Sequence, residues 1–422
     1  MKLQKIVNRL QKLHPKEIDL SLDRIINLCK KLGSPQNKIK AISVVGTNGK
    51  YSTIQAMYAI LKEAEINCNI YTSPHIKKIN ERFVFNNKEL KDNELFELLE
   101  EIENANNNQP ITFFEILTAA YFYKAAEYPN NINLIETGLF HRFDATNILK
   151  QNLASVVTSI GLDHLDWLPK NEQTVEKIIF EKTSQLLNSN IIIAKQSSKE
   201  ITDYIKKTIK DNKSKKYLFN EDYTFSSGEN NFFYYEDKFG GVKLPYPNVN
   251  GQFQLENIST AIVTLRSANQ LKIKDKHIKE GITKIHSIAR LQEISEGKLK
   301  DLVKNNRLLI DGSHNPLGAK VLNNYLESLD CDKHIILGMM ANKDHQLYMS
   351  YFKNIATLTT IDIPNQPNSI KGIELKDKLN SYENTQYKEN IFEAIKSIPV
   401  KKNDIILITG SLYLAGEVLN LN

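Results

Sequence analysis

The run Ile42-Ser43-Val44-Val45-Gly46-Thr47-Asn48-Gly49-Lys50-Tyr51-Ser52-Thr53 decides how the whole chain is read. A β-branched strand leads into a glycine-bearing turn, then a lysine, then hydroxyls that open a helix. Glycines let backbone N–H groups curl around an anion, and Lys50 adds a mobile positive charge. The helix beginning there points its positive end at the same place. Ser52 or Thr53 offers a hydroxyl to a magnesium ion. The spacing departs from the usual G-x-x-x-x-G-K-[ST] loop, because Val44 stands at the first glycine and Tyr51 separates Lys50 from Ser52. A tight Asn-Gly turn followed by a surface lysine is the plainer reading of the same residues.

Outward from this run, strand-like segments alternate with helical ones, the pattern of a parallel sheet with helices on its faces. Strands are expected at 41–45, 67–71, 132–136, 155–160 and 190–195, with helices at 52–65, 92–104 and 112–127 between them. The region 216–247, with Asn231-Phe232-Phe233-Tyr234-Tyr235 and Gly240-Gly241, breaks the rhythm. It reads as β-hairpins whose aromatics pack a small sheet. A helix rich in small residues follows at 257–270, and the irregular stretch 282–291 marks a domain boundary. Alternation then resumes with strands at 308–311, 334–340, 358–363 and 404–410. Two domains are expected, 1–285 and 286–422.

The 422 residues are 41% hydrophobic and 25% charged, which suits a globular chain with a sizeable core. The 55 basic and 49 acidic residues are scattered, for a net charge of +6, and no basic patch interleaved with aromatics points to nucleic acid. Cys29, Cys68 and Cys331 are widely spaced and odd in number, against a disulfide framework or a cysteine-held zinc site. The Lys-rich, amphipathic segment 1–15 lacks the apolar core of a signal peptide. No run of about 18 apolar residues suggests a membrane span. A cytoplasmic protein without membrane or nucleic-acid partners is expected.

Ligands of open parallel sheets bind beyond the carboxyl ends of the strands. Leu134-Ile135-Glu136 puts a carboxylate at such an end, where a phosphate-bound magnesium ion is held directly or through water. Tyr71-Thr72-Ser73-Pro74-His75 offers the Ser73 hydroxyl at a second, and Gly161-Leu162-Asp163-His164 brings His164 to a third. Each is bland alone: a strand-end Glu commonly caps a helix, and a lone His is commonly structural. In the second half, Leu308-Leu309-Ile310-Asp311-Gly312-Ser313-His314-Asn315-Pro316 crowds Asp, His and Asn ahead of a helix, with Arg290 just before it as a mobile cation. Neither Ser nor Cys is placed for nucleophilic catalysis, and no G-x-G-x-x-G suggests a dinucleotide. ATP binding between two domains is the plainest chemistry.

Together these motifs resemble the folylpolyglutamate synthase/dihydrofolate synthase family of the Mur-ligase superfamily. The match runs from Gly46–Lys50 through Ser73-Pro74-His75, Asn80-Glu81-Arg82, Thr112-Phe113-Phe114-Glu115 and Glu136-Thr137-Gly138-Leu139. It continues in Arg142-Phe143-Asp144-Ala145-Thr146-Asn147, Asp163-His164, Glu181-Lys182, Gln254 with Asn257, and Arg290-Leu291. Asp311–Pro316, Lys343-Asp344 and Gly410-Ser411-Leu412-Tyr413 complete it. The resemblance implies an N-terminal P-loop-type ATPase domain with a mostly parallel sheet and a small β-rich insertion, plus a smaller C-terminal Rossmann-like α/β domain. It further implies that ATP phosphorylates a carboxylate of dihydropteroate or of tetrahydrofolate's glutamate tail, and that L-glutamate's amine then displaces phosphate. By the same resemblance, Gly46, Thr47, Asn48, Gly49, Lys50 and Ser52 cradle ATP, with Asn257, Arg290 and Asp311 contacting it from elsewhere. Ser73, Glu136 and His164 would hold Mg2+, with Lys182 joining them if carbamylated. Lys50, Glu136, His164, Lys182, Asp311 and His314 are the implied catalytic set. Thr112, Phe113, Phe114, Glu115, Phe143, Asp144 and Ala145 would take the pterin, together with 19–23; similar enzymes are mostly monomers.

The chain departs from the family pattern at Tyr51, at Phe140 and His141 in place of two glycines, at Phe253 for a histidine, and at Ala289 for a glycine. A tryptophan usual just upstream of Arg290 is missing. A left-handed backbone at Tyr51 would cost roughly 1–2 kcal/mol, whereas a helical first turn would accommodate it. Alternatives are a synthase that only extends the glutamate tail, or a degenerate nucleotide-binding scaffold.

Overall fold

Apolar, β-branched runs become strands wherever a glycine or a polar pair ends them, and the strands line up with their carboxyl ends on one edge. The computed structural model describes residues 2–16, 19–228 and 231–422. Met1 of the N-terminal segment, and Glu229 and Asn230 of the aromatic-rich region, lie outside the described residues. The chain divides into two compact units. His164 and the described residues before it, Leu168–Asn248 and Leu255–Ile285 form the first; Leu165–Trp167, Val249–Gln254 and His286–Asn422 form the second.

The first unit carries β1 (Lys40–Val45), β2 (Cys68–Tyr71), β3 (Phe83–Phe85), β4 (Lys88–Glu89), β5 (Ile132–Glu136), β6 (Ala154–Val157), β7 (Asn190–Ile193) and β8 (Lys216–Leu218). They form one sheet in the order β4-β3-β2-β5-β1-β6-β7-β8. From β2 to β8 every neighbouring pair is parallel. Only β3 runs against β2, and β4 turns back antiparallel to β3 as a short hairpin. In β1 all residues after Lys40 are buried, as expected for a central strand covered on both faces. Beneath it, Tyr71, Phe83, Leu117, Tyr121 and Ile135 share one continuous core. The helix Phe113–Ala125 enters that core almost without a polar face, fixed at its start by a reciprocal capping box between Thr112 and Glu115.

Several boundaries differ from expectation, most by a few residues at an element's end. Lys216–Leu218 is not part of a hairpin: it extends the large sheet parallel to β7. The hairpins proper are β9 (Tyr223–Ser227), β10 (Phe232–Asp237) and β11 (Gly240–Pro245), a separate antiparallel sheet. Phe233 and Tyr235 of β10 point inward while Tyr234 faces solvent, so the aromatics do pack a small sheet. The β6 strand stops at Val157 rather than 160, because the chain then turns to meet the loop after β1. The helix expected at 257–270 begins earlier and spans Gln252–Ser267.

The second unit has β12 (Gln292–Ile294), β13 (Arg307–Ile310), β14 (Lys333–Leu337), β15 (Thr357–Ile361), β16 (Thr385–Lys388) and β17 (Ile405–Thr409), ordered β12-β13-β17-β14-β15-β16. Only β12 is antiparallel to its neighbour. Leu309, Ile335, Leu337, Leu358 and Leu407 pack its core against Leu322, Tyr348 and Leu375 from the covering helices. Among the described residues no helix is long and apolar enough to cross a membrane.

Candidate active site

Parallel pairing sets the site. Val44 lies opposite Glu136, Val45 opposite Val157, and Tyr71 opposite Ile135. The turns after β1, β2, β5 and β6 therefore leave the sheet side by side, as expected of a ligand site at strand carboxyl ends. Glu136 is buried and accepts from the Ser73 amide at 3.1 Å. Lys50 Nζ stands 3.9 Å from its other oxygen and donates to Gly46 O and Thr47 O at 3.2 Å each. Lysine, backbone turn and carboxylate thus meet at one point.

The turn after β1 owes its shape to Gly46 and Gly49, both at positive φ (154° and 90°). A Cβ on Gly46 would sit 1.9 Å from Thr158 Oγ1, and one on Gly49 would sit 2.6 Å from Asn257 Oδ1. Thr158 and Asn257 therefore wall the turn on two sides. The amides of Thr47 and Asn48 donate to Ser159 O at 2.9 and 3.1 Å, so they face the neighbouring strand end rather than an anion. The free amide end suited to an anion is instead that of the helix Lys50–Glu63, whose first turn follows Gly49. Tyr51 is the second residue of that helix, which removes the left-handed strain considered from sequence. Thr53 is fully buried, leaving Ser52 as the hydroxyl nearer the loop. Gly46→Ala is expected to lower stability by about 1–3 kcal/mol in denaturant unfolding, because the added methyl meets the Thr158 backbone as well as its side chain.

Lys182 lies at the floor. Only 1% exposed, its Nζ donates to Leu139 O at 2.7 Å and to Gly46 O at 3.1 Å. Burial, aided by the charge of Lys50, lowers its pKa to about 7. The Phe140 ring lies 5.5 Å from that nitrogen and 6.4 Å, edge-on, from the His164 ring. His164 itself takes a left-handed backbone (φ 57°) and stands 3.7 Å from Asp163. It lies seven residues beyond the end of β6, on the loop, not at the strand tip. Next to Lys182, Glu181 is gripped by the Arg142 guanidinium through two 2.8 Å bonds, a pairing that sequence reasoning did not single out.

The two segments expected to bind a pterin meet at Gly138, where a Cβ would lie 2.8 Å from the Phe114 ring and 3.0 Å from Asp144 Oδ2. Phe114 stacks 6.0 Å from Tyr71. The Asp144 carboxylate folds its own loop, accepting from Gly138 N, Leu139 N, Thr146 N and Thr146 Oγ1. Burial raises its pKa, and those four bonds oppose the rise. Phe143 is exposed beneath the Arg142 guanidinium, 4.4 Å away, while Ala145 is buried. Arg24 joins this region unanticipated, bonding Asp19 and Glu115 at once.

In the second unit the turn after β13 is equally ordered. Asp311 is buried and accepts from Leu291 N and Ser313 N at 2.7 Å each. Burial raises its pKa, against the pull of Arg290. His314 Nδ1 lies 2.9 Å from Gly312 O, and Asn315 caps the helix Pro316–Glu327 through Gly318 N. Tyr348 supports the turn from below, its hydroxyl reaching Ser313 O and Thr409 Oγ1. Ala289, where the resemblance noted from sequence would place a glycine, adopts φ 52°.

Among the described residues no three His, Cys, Asp or Glu side chains converge as a ready metal cage. Glu136, which accepts from the Ser73 amide, is the buried carboxylate at this point, and an open cation site needs only one or two protein ligands, the remaining positions going to phosphate oxygens and water. As a free amine engaged with two carbonyls, Lys182 is a donor; only its carbamate would add a ligand.

A family model for the Mur ligase glutamate ligase domain matches residues 289–412. The chain is 29% identical over 426 residues to the dihydrofolate synthase/folylpolyglutamate synthase of Bacillus subtilis, covering 94% of each chain. It is 26% identical to the Escherichia coli protein of the same name, over 98% of this chain and 93% of that one. Among solved structures, E. coli FolC in complex with DHPP and ADP superposes with a TM-score of 0.86 at 26% identity, covering 99% of this chain and 97% of that one. The bifunctional Yersinia pestis enzyme complexed with AMPPNP and a Mn ion shares the fold, with a TM-score of 0.87 at 24% identity over 99% of this chain and 97% of that one.

Proposed function

We propose, from the premise that this chain belongs to the folylpolyglutamate synthase/dihydrofolate synthase family of Mur ligases, that it is an ATP-dependent ligase adding L-glutamate to dihydropteroate and to the glutamate tail of tetrahydrofolate. The observation that carries this reading is the meeting of Lys50, Glu136 and Ser73 at the carboxyl ends of β1, β5 and β2. A carboxylate attacking ATP is opposed by repulsion between anions, and fixed positive groups offset it most strongly where charge builds up. Lys50 and the amide end of the helix Lys50–Glu63 supply that charge, with Gly46, Thr47, Asn48 and Gly49 shaping the turn and Ser52 and Asn257 flanking it. Arg290 and Asp311 contact the nucleotide, and His314 acts in catalysis with its ring held by Gly312 O.

Glu136, Ser73 and His164 would hold Mg2+, which when bound neutralises phosphate charge. A lysine lowered to about pKa 7 is substantially unprotonated at neutral pH, as attack on carbon dioxide requires, so the setting of Lys182 supports its carbamylation. Thr112, Phe113, Phe114, Glu115, Phe143, Asp144 and Ala145 frame the pterin end. The acid becomes an acyl phosphate, and the glutamate amine displaces inorganic phosphate to leave an amide and ADP. We place the enzyme in the cytoplasm as a monomer.

The test is product analysis with dihydropteroate and tetrahydrofolate offered in parallel, each with ATP, Mg2+ and glutamate. Glutamylated product and released phosphate from both acids are expected. Product from tetrahydrofolate alone would reduce the activity to tail extension, and tight ATP binding without turnover would make the chain a scaffold.

A further inference from the structure

Glu115 is used unequally. Its Oε2 accepts three bonds, from Thr112 N at 2.8 Å, Thr112 Oγ1 at 2.7 Å and Arg24 Nε at 3.0 Å. Its Oε1 is buried and has no hydrogen-bond partner among the described residues. A buried acceptor left unmet is costly, so such an atom points to a ligand donor that completes it. Arg24 is the residue that arranges this. From the helix Asp23–Lys31 its guanidinium also takes Asp19 Oδ2 at 2.8 Å and Asp19 O at 2.7 Å. The planar fork thereby clips the segment before its own helix to the start of the helix Phe113–Ala125, and three donors on Oε2 leave the carboxylate no rotation that would satisfy Oε1 instead. Phe114, next in sequence, stacks with Tyr71 and meets Gly138.

We propose that Arg24 is a positioning residue for the pterin end of the substrate: by tying Asp19 to Glu115 it aims Glu115 Oε1 at an amino or ring N–H donor of a flat heterocycle. This rests on the reading of the chain as a pteroate ligase. Arg24 touches no reacting atom, so its loss acts on binding of the ring and not on phosphoryl transfer.

The experiment measures KM for dihydropteroate, ATP and glutamate, with kcat, in wild-type enzyme, Arg24→Gln and Arg24→Lys. Calorimetric binding of dihydropteroate alone is measured beside it. Arg24→Gln is expected to raise KM for dihydropteroate, and its calorimetric Kd, about tenfold, while kcat and the KM for ATP and glutamate change less than about twofold. Arg24→Lys, which keeps the charge but not the fork, should recover part of the loss. Equal changes in all three KM values, or none, would overturn the proposal. Should Arg24→Gln fail to fold, Asp19→Ala keeps the Arg24–Glu115 pair and frees only the segment. It should still raise KM for dihydropteroate severalfold, and an unchanged value would overturn the proposal. A wild-type enzyme that neither binds nor glutamylates dihydropteroate overturns both this inference and the functional reading. One that does both, beside an indistinguishable Arg24→Gln, overturns this inference alone.

Discussion

Lys50→Ala should lower kcat for ATP-driven amide formation by about 100- to 1000-fold, the usual cost of deleting one charge-stabilising donor, with the far-ultraviolet circular dichroism spectrum unchanged. The side chain is placed for charge more than for packing. Its Nζ lies over the carbonyls of Gly46 and Thr47 and 3.9 Å from Glu136, at the mouth of the turn and not in the core. Loss of two bonds to loop carbonyls costs stability on the order of 1–2 kcal/mol, far less than the catalytic loss expected. The substitution has a second readout. Lys50 is one reason Lys182 loses its proton so readily, so in Lys50→Ala the Lys182 amine should titrate at higher pH. Near-wild-type turnover in the variant would remove the phosphate-loop assignment and with it the proposed chemistry.

That assignment was legible because its parts are contiguous. Ser43, Val44 and Val45 precede Gly46 without interruption, and Glu136 follows the apolar pair Leu134-Ile135 two residues before Gly138. Strand ends next to each other in a parallel sheet then bring the tips together with no further information. The β3–β4 hairpin escaped despite a visible signal. Asn86 and Asn87 both take positive φ, at 49° and 64°, the conformation a two-residue hairpin turn requires, but strands this short give little periodicity to read. Lys216–Leu218 was absorbed into the aromatic stretch beside it, since three residues cannot declare which sheet they join. The floor of the site was illegible for a different reason. The bond from Lys182 to Gly46 O spans 136 positions, and that from Arg24 to Glu115 spans 91. No local pattern encodes such pairs. Motif order named Lys182, but its burial and its lowered pKa are properties of the folded surroundings.

His141 offers the clearest case of a cost hidden from sequence, and it sets a pH dependence. The imidazole is fully buried, both ring nitrogens lack partners among the described residues, and its pKa falls to about 4, first through burial and then through the charge of Lys182. In the unfolded chain the same ring titrates near 6.5. Between those values the unfolded state binds a proton that the native state refuses, so stability must fall as pH falls. The loss begins near pH 6.5, accumulates at about 1.4 kcal/mol per unit, and reaches about 3 kcal/mol by pH 4. His75, also lowered to about 4 by burial and by Arg82, contributes in the same direction and remains in any His141 variant. His141→Leu keeps an apolar side chain of comparable bulk while removing both the titration and the unmet nitrogens. It should therefore be more stable than wild type at pH 7 by about 1–3 kcal/mol, and its advantage should widen by about 3 kcal/mol on acidification to pH 4. Urea unfolding at pH 7, 5.5 and 4, without nucleotide or metal, reads both quantities. A difference that stays constant across the three pH values would mean that the ring is solvated or paired in solution. The depressed pKa, and the packing of 139–142 against Lys182 that explains it, would then have to be abandoned.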